Sequence, residues 1–163
     1  MLAREIFSVP TTDAPSSHPL FSPTTQNLTV SKEDTMSSSV QELVAQAKAQ
    51  IRNLSVPEFS RELDGEPVLV DIREADEVAR DGAIPGAVHA PRGMLEFWAD
   101  PASPYHRAEF DPSRRTLLYC ASGGRSALGV QTLQTLGYAD VAHLDGGIKA
   151  WKEQGRPVTL ETR

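Results

Sequence analysis

Thr116-Leu117-Leu118-Tyr119-Cys120-Ala121-Ser122-Gly123-Gly124-Arg125-Ser126 carries the only cysteine of the 163-residue chain. Residues suited to a buried strand run into Cys120, small residues follow, and Arg125 opens a segment with helical spacing. The stretch is a strand, a short loop and a helix N-terminus. The backbone N–H groups of a loop that curls back on itself point inward as a nest, and the helix behind adds the positive end of its dipole. A sulfur held over such a nest is favoured as the thiolate, which is the nucleophilic form. A lone cysteine at a strand end is ordinarily a small buried hydrophobe. The residues after Cys120 argue otherwise: Gly123 and Gly124 allow positive φ and close backbone approach, and Arg125 sets a forked cation at the rim. Cys120 is therefore the candidate nucleophile and Arg125 its companion cation. The backbone of Ala121, Ser122, Gly123, Gly124 and Ser126 forms the anion cradle.

The pattern Cys-x-x-Gly-x-Arg-Ser, here Cys120 to Ser126, resembles the active-site loop of the rhodanese family of sulfurtransferases. Three further stretches agree in kind and order. Val68-Leu69-Val70-Asp71-Ile72-Arg73-Glu74 is similar to that family's strand ending in Asp-x-Arg. Gly82-Ala83-Ile84-Pro85-Gly86-Ala87 is similar to its Gly-His-Ile-Pro-Gly-Ala segment, with Ala83 standing where the family commonly has His. Leu144-Asp145-Gly146-Gly147-Ile148-Lys149-Ala150-Trp151 is similar to its closing Gly-Gly-x-x-x-Trp. The resemblance spans about residues 51–158. It implies an α/β fold, a single rhodanese-like domain whose five-stranded parallel sheet is flanked by helices.

The rest of the chain fits that frame. A net charge of −6 argues against a general partner role for nucleic acid or anionic membrane, while leaving room for one local cation site. One cysteine permits no internal disulfide, which suits a reducing compartment, and a cytoplasmic location is expected. No apolar run approaches the length of a membrane span.

Residues 1–39 are rich in Ser, Thr and Pro without hydrophobic period, and are read as disordered. They lack the apolar core of a secretory signal. Their hydroxyl-rich composition is shared by transit peptides, but Arg4 is their only arginine and Glu5 and Asp13 sit early. Met36 offers an alternative start, so residues 1–35 need not belong to the mature protein. Val40, Leu43, Val44, Ala47 and Ile51 recur at helical spacing, so an amphipathic helix over residues 40–50 is expected to cover the sheet. The domain proper is placed at residues 51–160.

Strands alternating with helices predict a parallel sheet, in which ligands bind beyond the strands' carboxyl ends. Asp71, Arg73 and Cys120 all fall there. Asp71 and Arg73 are read as a bracing pair that supports the cradle. The long segment from Pro91 to Arg115 is expected to line the cradle entrance and to supply Arg92 as a second cation for an anionic substrate. His106 lacks neighbours at ligand spacing and His89 and His143 are read as satisfied polar groups, so no metal is expected; nor is a cofactor.

Four residues separate Cys120 from Arg125, whereas the related loops of cysteine-dependent phosphatases and arsenate reductases have five. The smaller ring suits a sulfur carried on cysteine better than a tetrahedral phosphoryl group. Phosphate-ester cleavage also needs a general acid, and no residue is marked for it. The resemblance therefore implies a sulfurtransferase working through a Cys120 persulfide. Its donor would be thiosulfate or a similar small anion, and its acceptor an external thiol or protein. The alternative is a binding module that keeps the cradle without turnover. A phosphatase or arsenate reductase stands third.

Overall fold

The computed structural model describes residues 38–160. The expectations for the N-terminal segment, residues 1–35 included, lie outside the described residues, apart from Ser38 and Ser39. The first helix, α1 (Val40–Gln50), starts at Ser39, whose hydroxyl accepts from the Glu42 N–H while the Glu42 carboxylate accepts from the Ser39 N–H. β1 (Arg52–Leu54) leads through a second such box, Ser55 with Glu58, into α2 (Val56–Leu63). Then follow β2 (Val68–Asp71), α3 (Ala75–Asp81), β3 (Val88–His89), a single 3₁₀ turn at Arg92–Met94 and α4 (Leu95–Ala99). The chain closes with β4 (Thr116–Tyr119), α5 (Gly124–Thr135), β5 (Val141–Leu144) and α6 (Gly147–Glu153).

All five strands are parallel, in the order β1-β5-β4-β2-β3. β2, β4 and β5 are buried along their whole length, as a sheet covered on both faces requires. Alternation divides their side chains. Val68, Val70, Leu118, Cys120 and Val141 pack with Leu95, Phe110, Val130 and Leu133 on the face covered by α4 and α5. Leu69, Leu117, Tyr119, Ala142 and Leu144 pack with Phe59 of α2 and Ile148 and Trp151 of α6 on the other. Gly129 lets α5 settle onto the sheet: a Cβ there would lie 3.0 Å from Leu118 Cδ2.

From the C-terminal ends of β2 and β4, adjacent in the sheet, the chain departs in opposite directions, toward β3 and toward β5. This is the switch point at which an open α/β sheet leaves a crevice. Ile72, Arg73 and Cys120 lie at its mouth.

Two expectations change. The apolar stripe of α1 is only partly used: Ala47 is buried and Val44 half-buried, but Val40 and Leu43 are 66% and 45% exposed. The helix rests on α5 with its C-terminal half, where Lys48 reaches Asp145 at 2.5 Å. The segment from Pro91 to Arg115 packs along the sheet face shared with α5, burying Leu95, Ala99 and Phe110. Arg92 within it pairs with Glu96 at 2.6 Å and donates to Thr132 Oγ1. Thr132 is about 12 Å along α5 from that helix's first residue.

The packing predicts contrasting costs. Phe59 meets the Trp151 ring edge-on with centroids 6.1 Å apart, so Phe59→Ala should lose about 3–5 kcal/mol in denaturant unfolding. Leu43→Ser on α1 should change stability by less than about 0.5 kcal/mol.

Candidate active site

Cys120 follows β4 directly, and its Sγ accepts a hydrogen bond from the Gly123 N–H at 3.1 Å. Gly123 stands at φ 96°, a left-handed conformation that turns the chain back over the sulfur before α5 begins. The first-turn amides of α5, including those of Arg125 and Ser126, have no intrahelical acceptors. Their dipoles point to the same centre. Ser126 adds a side-chain contact, its Oγ lying 3.5 Å from Sγ. The sulfur forms the floor of this cradle, with Cys120 only 1% exposed.

A loop displays its N–H groups inward only if its carbonyls are held outward, and α6 does this. The N–H groups of Ile148 and Lys149 donate to the carbonyls of Cys120 and Ala121 at 2.9 and 3.1 Å. Gly147 makes that approach possible: at φ 62°, a Cβ on it would lie 2.5 Å from both carbonyl oxygens. Trp151, one turn on, anchors the helix in the core and donates to the Pro157 carbonyl. The Gly-Gly-x-x-x-Trp stretch is thus the outer brace of the cysteine loop.

Arg125 does not stand alone at the rim. Its two terminal nitrogens bond both carboxylate oxygens of Glu77 on α3 at 2.6 and 2.7 Å. This fork holds the Glu77 carboxyl down to about 2 and raises the guanidinium further above its ordinary value. The cation is shared between α3 and the cradle. Glu77 also accepts from the Glu74 N–H, capping its own helix. No local sequence signal marks Glu77, because only the fold brings it across 48 positions to Arg125.

Asp71 and Arg73 form a fully buried pair. Arg73 Nη2 donates to Asp71 Oδ2 and to the Gly82 carbonyl, both at 2.6 Å, and its Nε donates to Asp71 at 3.0 Å. Burial opposes the charge on Arg73, but Asp71 outweighs it and raises the guanidinium. Arg73 also lines a cavity of about 350 Å³ beside Ala121, with Ile148, Lys149 and Lys152. His89 braces the rear of the same turn, its Nε2–H donating to the Arg73 carbonyl at 2.8 Å.

His143 is more than a satisfied strand residue. It lies beside Leu118 on the α5 face of the sheet, wholly buried, with Nδ1 2.9 Å from Ser126 Oγ and Nε2 2.8 Å from Asn53 Oδ1. A continuous chain therefore runs Cys120, Ser126, His143, Asn53. Burial pushes the imidazole down to about 4, so it is neutral near pH 7. Its sequence signal was a polar residue at an inward position of an otherwise apolar strand.

The site thus consists of a cysteine over a four-residue nest at the switch point of a parallel sheet, braced by a glycine pair and a buried Asp-Arg pair. That class of α/β domain has a known member family: the rhodanese-like domain model matches residues 55–154, and the chain belongs to this family. A Synechocystis sp. protein, slr1261, is 35% identical over 96 residues, which are 59% of this chain and 48% of that protein. This chain thus spans about half the length of that curated relative. Among solved structures, RPA3614 of Rhodopseudomonas palustris, described as a protein of unknown function and possible tyrosine phosphatase, shares 38% identity. That comparison covers 77% of this chain and 97% of that one, with a TM-score of 0.71. The human single-domain sulfurtransferase TSTD1 shares 28% identity over 63% of this chain and 96% of its own, with a TM-score of 0.55. Among the described residues, no helix is long and apolar enough to cross a membrane.

Two predictions follow from the bracing. Gly147→Ala forces a methyl onto two carbonyls and should cost about 3 kcal/mol, read as a fall in the denaturation midpoint. Glu77 has a folded carboxyl depressed from 4.5 to about 2, so its stabilisation is complete above about pH 4.5 and disappears as pH falls toward 2. Glu77→Gln should therefore be less stable than wild type at neutral pH and should lose less stability on acidification over that range, by calorimetry.

Proposed function

We propose that the protein transfers a sulfane sulfur by double displacement through Cys120. The observation that carries this reading is the Gly123 N–H bond to Sγ at 3.1 Å, at the floor of a nest one residue smaller than that of a phosphatase. The Cys120 thiolate attacks the outer sulfur of thiosulfate or a comparable donor. The donor's S–S bond breaks, and its electron pair leaves with sulfite. The sulfur stays as a persulfide anion, held by the amides of Ala121 to Ser126. An external thiophile then takes the outer sulfur and returns the thiolate: cyanide in an assay, a thiol or an acceptor protein in the cell. As the chain has one cysteine, no internal thiol can resolve the persulfide, and a reducing compartment such as the cytoplasm suits it.

The depth of the sulfur favours a slender donor. With Cys120 1% exposed, a terminal sulfur atom reaches Sγ more readily than a bulky ester phosphorus. Arg125, tethered by Glu77, sets the rim potential that holds the donor's anionic end. Removing it leaves the Glu77 carboxylate unpaired beside the entrance, which compounds the loss. Arg92, turned toward Thr132, contributes through the long-range field alone.

The description of the Rhodopseudomonas palustris neighbour as a possible tyrosine phosphatase gives a second reading, phosphate-ester cleavage by the same cysteine. The four-residue loop weighs against it. Thiocyanate formation from thiosulfate and cyanide, measured beside p-nitrophenyl phosphate hydrolysis, separates the two. The expected result is thiocyanate formation abolished in a folded Cys120→Ser variant, with no phosphatase turnover. Arg125→Ala should cut kcat/KM for thiosulfate by about 10- to 100-fold and Arg92→Ala by less than about threefold. The reverse order would place the anion site at Arg92. Phosphatase turnover without thiocyanate would establish the second reading.

A further inference from the structure

We propose that Ser126 and His143 form a proton relay that takes up the Cys120 thiol proton as the cysteine becomes a nucleophile. The chain of contacts carries the direction of each hydrogen. The Asn53 amide nitrogen donates to the carbonyls of Lys48 and Ile51 at 2.8 and 3.2 Å, so its oxygen is the atom facing His143 Nε2. An oxygen acceptor there requires a proton on Nε2. In the neutral ring the Nδ1 atom, 2.9 Å from Ser126 Oγ, is then a lone pair and accepts the serine's hydroxyl proton. Ser126 thus has its single proton committed to His143 and turns a lone pair toward Cys120 Sγ at 3.5 Å. In this arrangement Ser126 can accept from an S–H but has no hydrogen to offer a thiolate.

A thiolate at the same position needs the serine proton turned to the sulfur, which requires a proton on Nδ1 in its place. Passage of one proton along the chain satisfies both ends. The Cys120 S–H bond breaks as an O–H bond forms on Ser126, whose original proton moves to His143 Nδ1. The product is a thiolate that accepts from Ser126, and an imidazolium whose Nδ1–H faces Ser126 and whose Nε2–H faces Asn53. No charge leaves the site, and when an acceptor regenerates the thiolate the proton can return by the same path.

The surroundings keep this balance. His143 faces Ser126 from α5, Cys120 from the end of β4, the neutral Asn53 from β1, Asp145 beyond its own strand and Lys48 from α1. Asp145 favours the imidazolium and Lys48 opposes it, and the two are bonded to each other at 2.5 Å, so their fields largely cancel. Burial keeps the resting ring neutral, at about 4. His143 never meets a donor molecule; it is a positioning residue that acts through Ser126.

The role of the relay rests on the sulfur-transfer reading, but its test does not. The rate of Cys120 alkylation by iodoacetamide, followed by intact mass from about pH 6 to about pH 10, reads nucleophile formation without any sulfur donor. Ser126→Ala should be slower than wild type by about tenfold or more near pH 7, with the gap closing toward about pH 10 as hydroxide removes the proton directly. A deficit equal at every pH, or none, would overturn the relay. The ¹⁵N shifts of His143 in the unmodified wild type supply a check that needs no variant: the relay requires the neutral Nε2–H form at rest, and an Nδ1–H form would refute it. A wild type that takes up no sulfur but shows this alkylation pattern would sink sulfur transfer alone. Sulfur uptake without the pattern would sink the relay alone.

Discussion

The outward hold that α6 exerts on the carbonyls of Cys120 and Ala121 is the constraint on which the site depends. A peptide group is a dipole, so fixing its oxygen fixes the direction of its hydrogen. With both carbonyls bound by the Ile148 and Lys149 amides, the loop can present N–H groups to the sulfur at no further reorganisation cost. Three glycines interlock to allow this. Gly123 turns the loop at positive φ, a Cβ on it would lie 3.0 Å from the Gly146 nitrogen, and Gly147 presses on the loop carbonyls. Trp151 and Phe59 bury the far end of the brace. A defect in that hydrophobic layer would therefore be felt at a sulfur it never touches.

Charge is organised in two tiers around the same crevice. Asp71 and Arg73, buried together, tie the end of β2 to the Gly82 carbonyl and hold the turn beside the loop. A buried pair of this kind is costly to break rather than a net source of stability, so its function is positional. Arg125 and Glu77 form the outer tier, paired and partly exposed to solvent. Their pairing restrains the guanidinium and offsets part of its charge. The contact to the sulfur itself comes from the backbone, through the Gly123 N–H, while the arginine is held at the rim.

Much of this was legible in the sequence. The Cys120 loop was read from its own residues, and the strand ending in Asp71 and the Gly146-Gly147 stretch from their resemblance to the family's motifs. Apolar residues at helical spacing announced α1, which runs Val40–Gln50. What stayed hidden was pairing between distant elements. Glu77 reads as one of several acidic residues on α3 until the helix phase turns it to Arg125. His143 reads as a strand histidine until the register of β5 against β4 sets it under Ser126. The exposure of Val40 and Leu43 was likewise concealed, because apolar spacing shows that a helix has a face and not how much surface its neighbour offers.

The central claim is that Cys120 accepts and gives up a single sulfur atom. Intact mass after incubation with thiosulfate, before and after cyanide, tests it most directly. The account predicts a gain of one sulfur on wild type, removed by cyanide and absent from Cys120→Ser. A folded wild-type protein that gains no sulfur from thiosulfate or from other sulfane donors would contradict it and leave the cradle as a binding site.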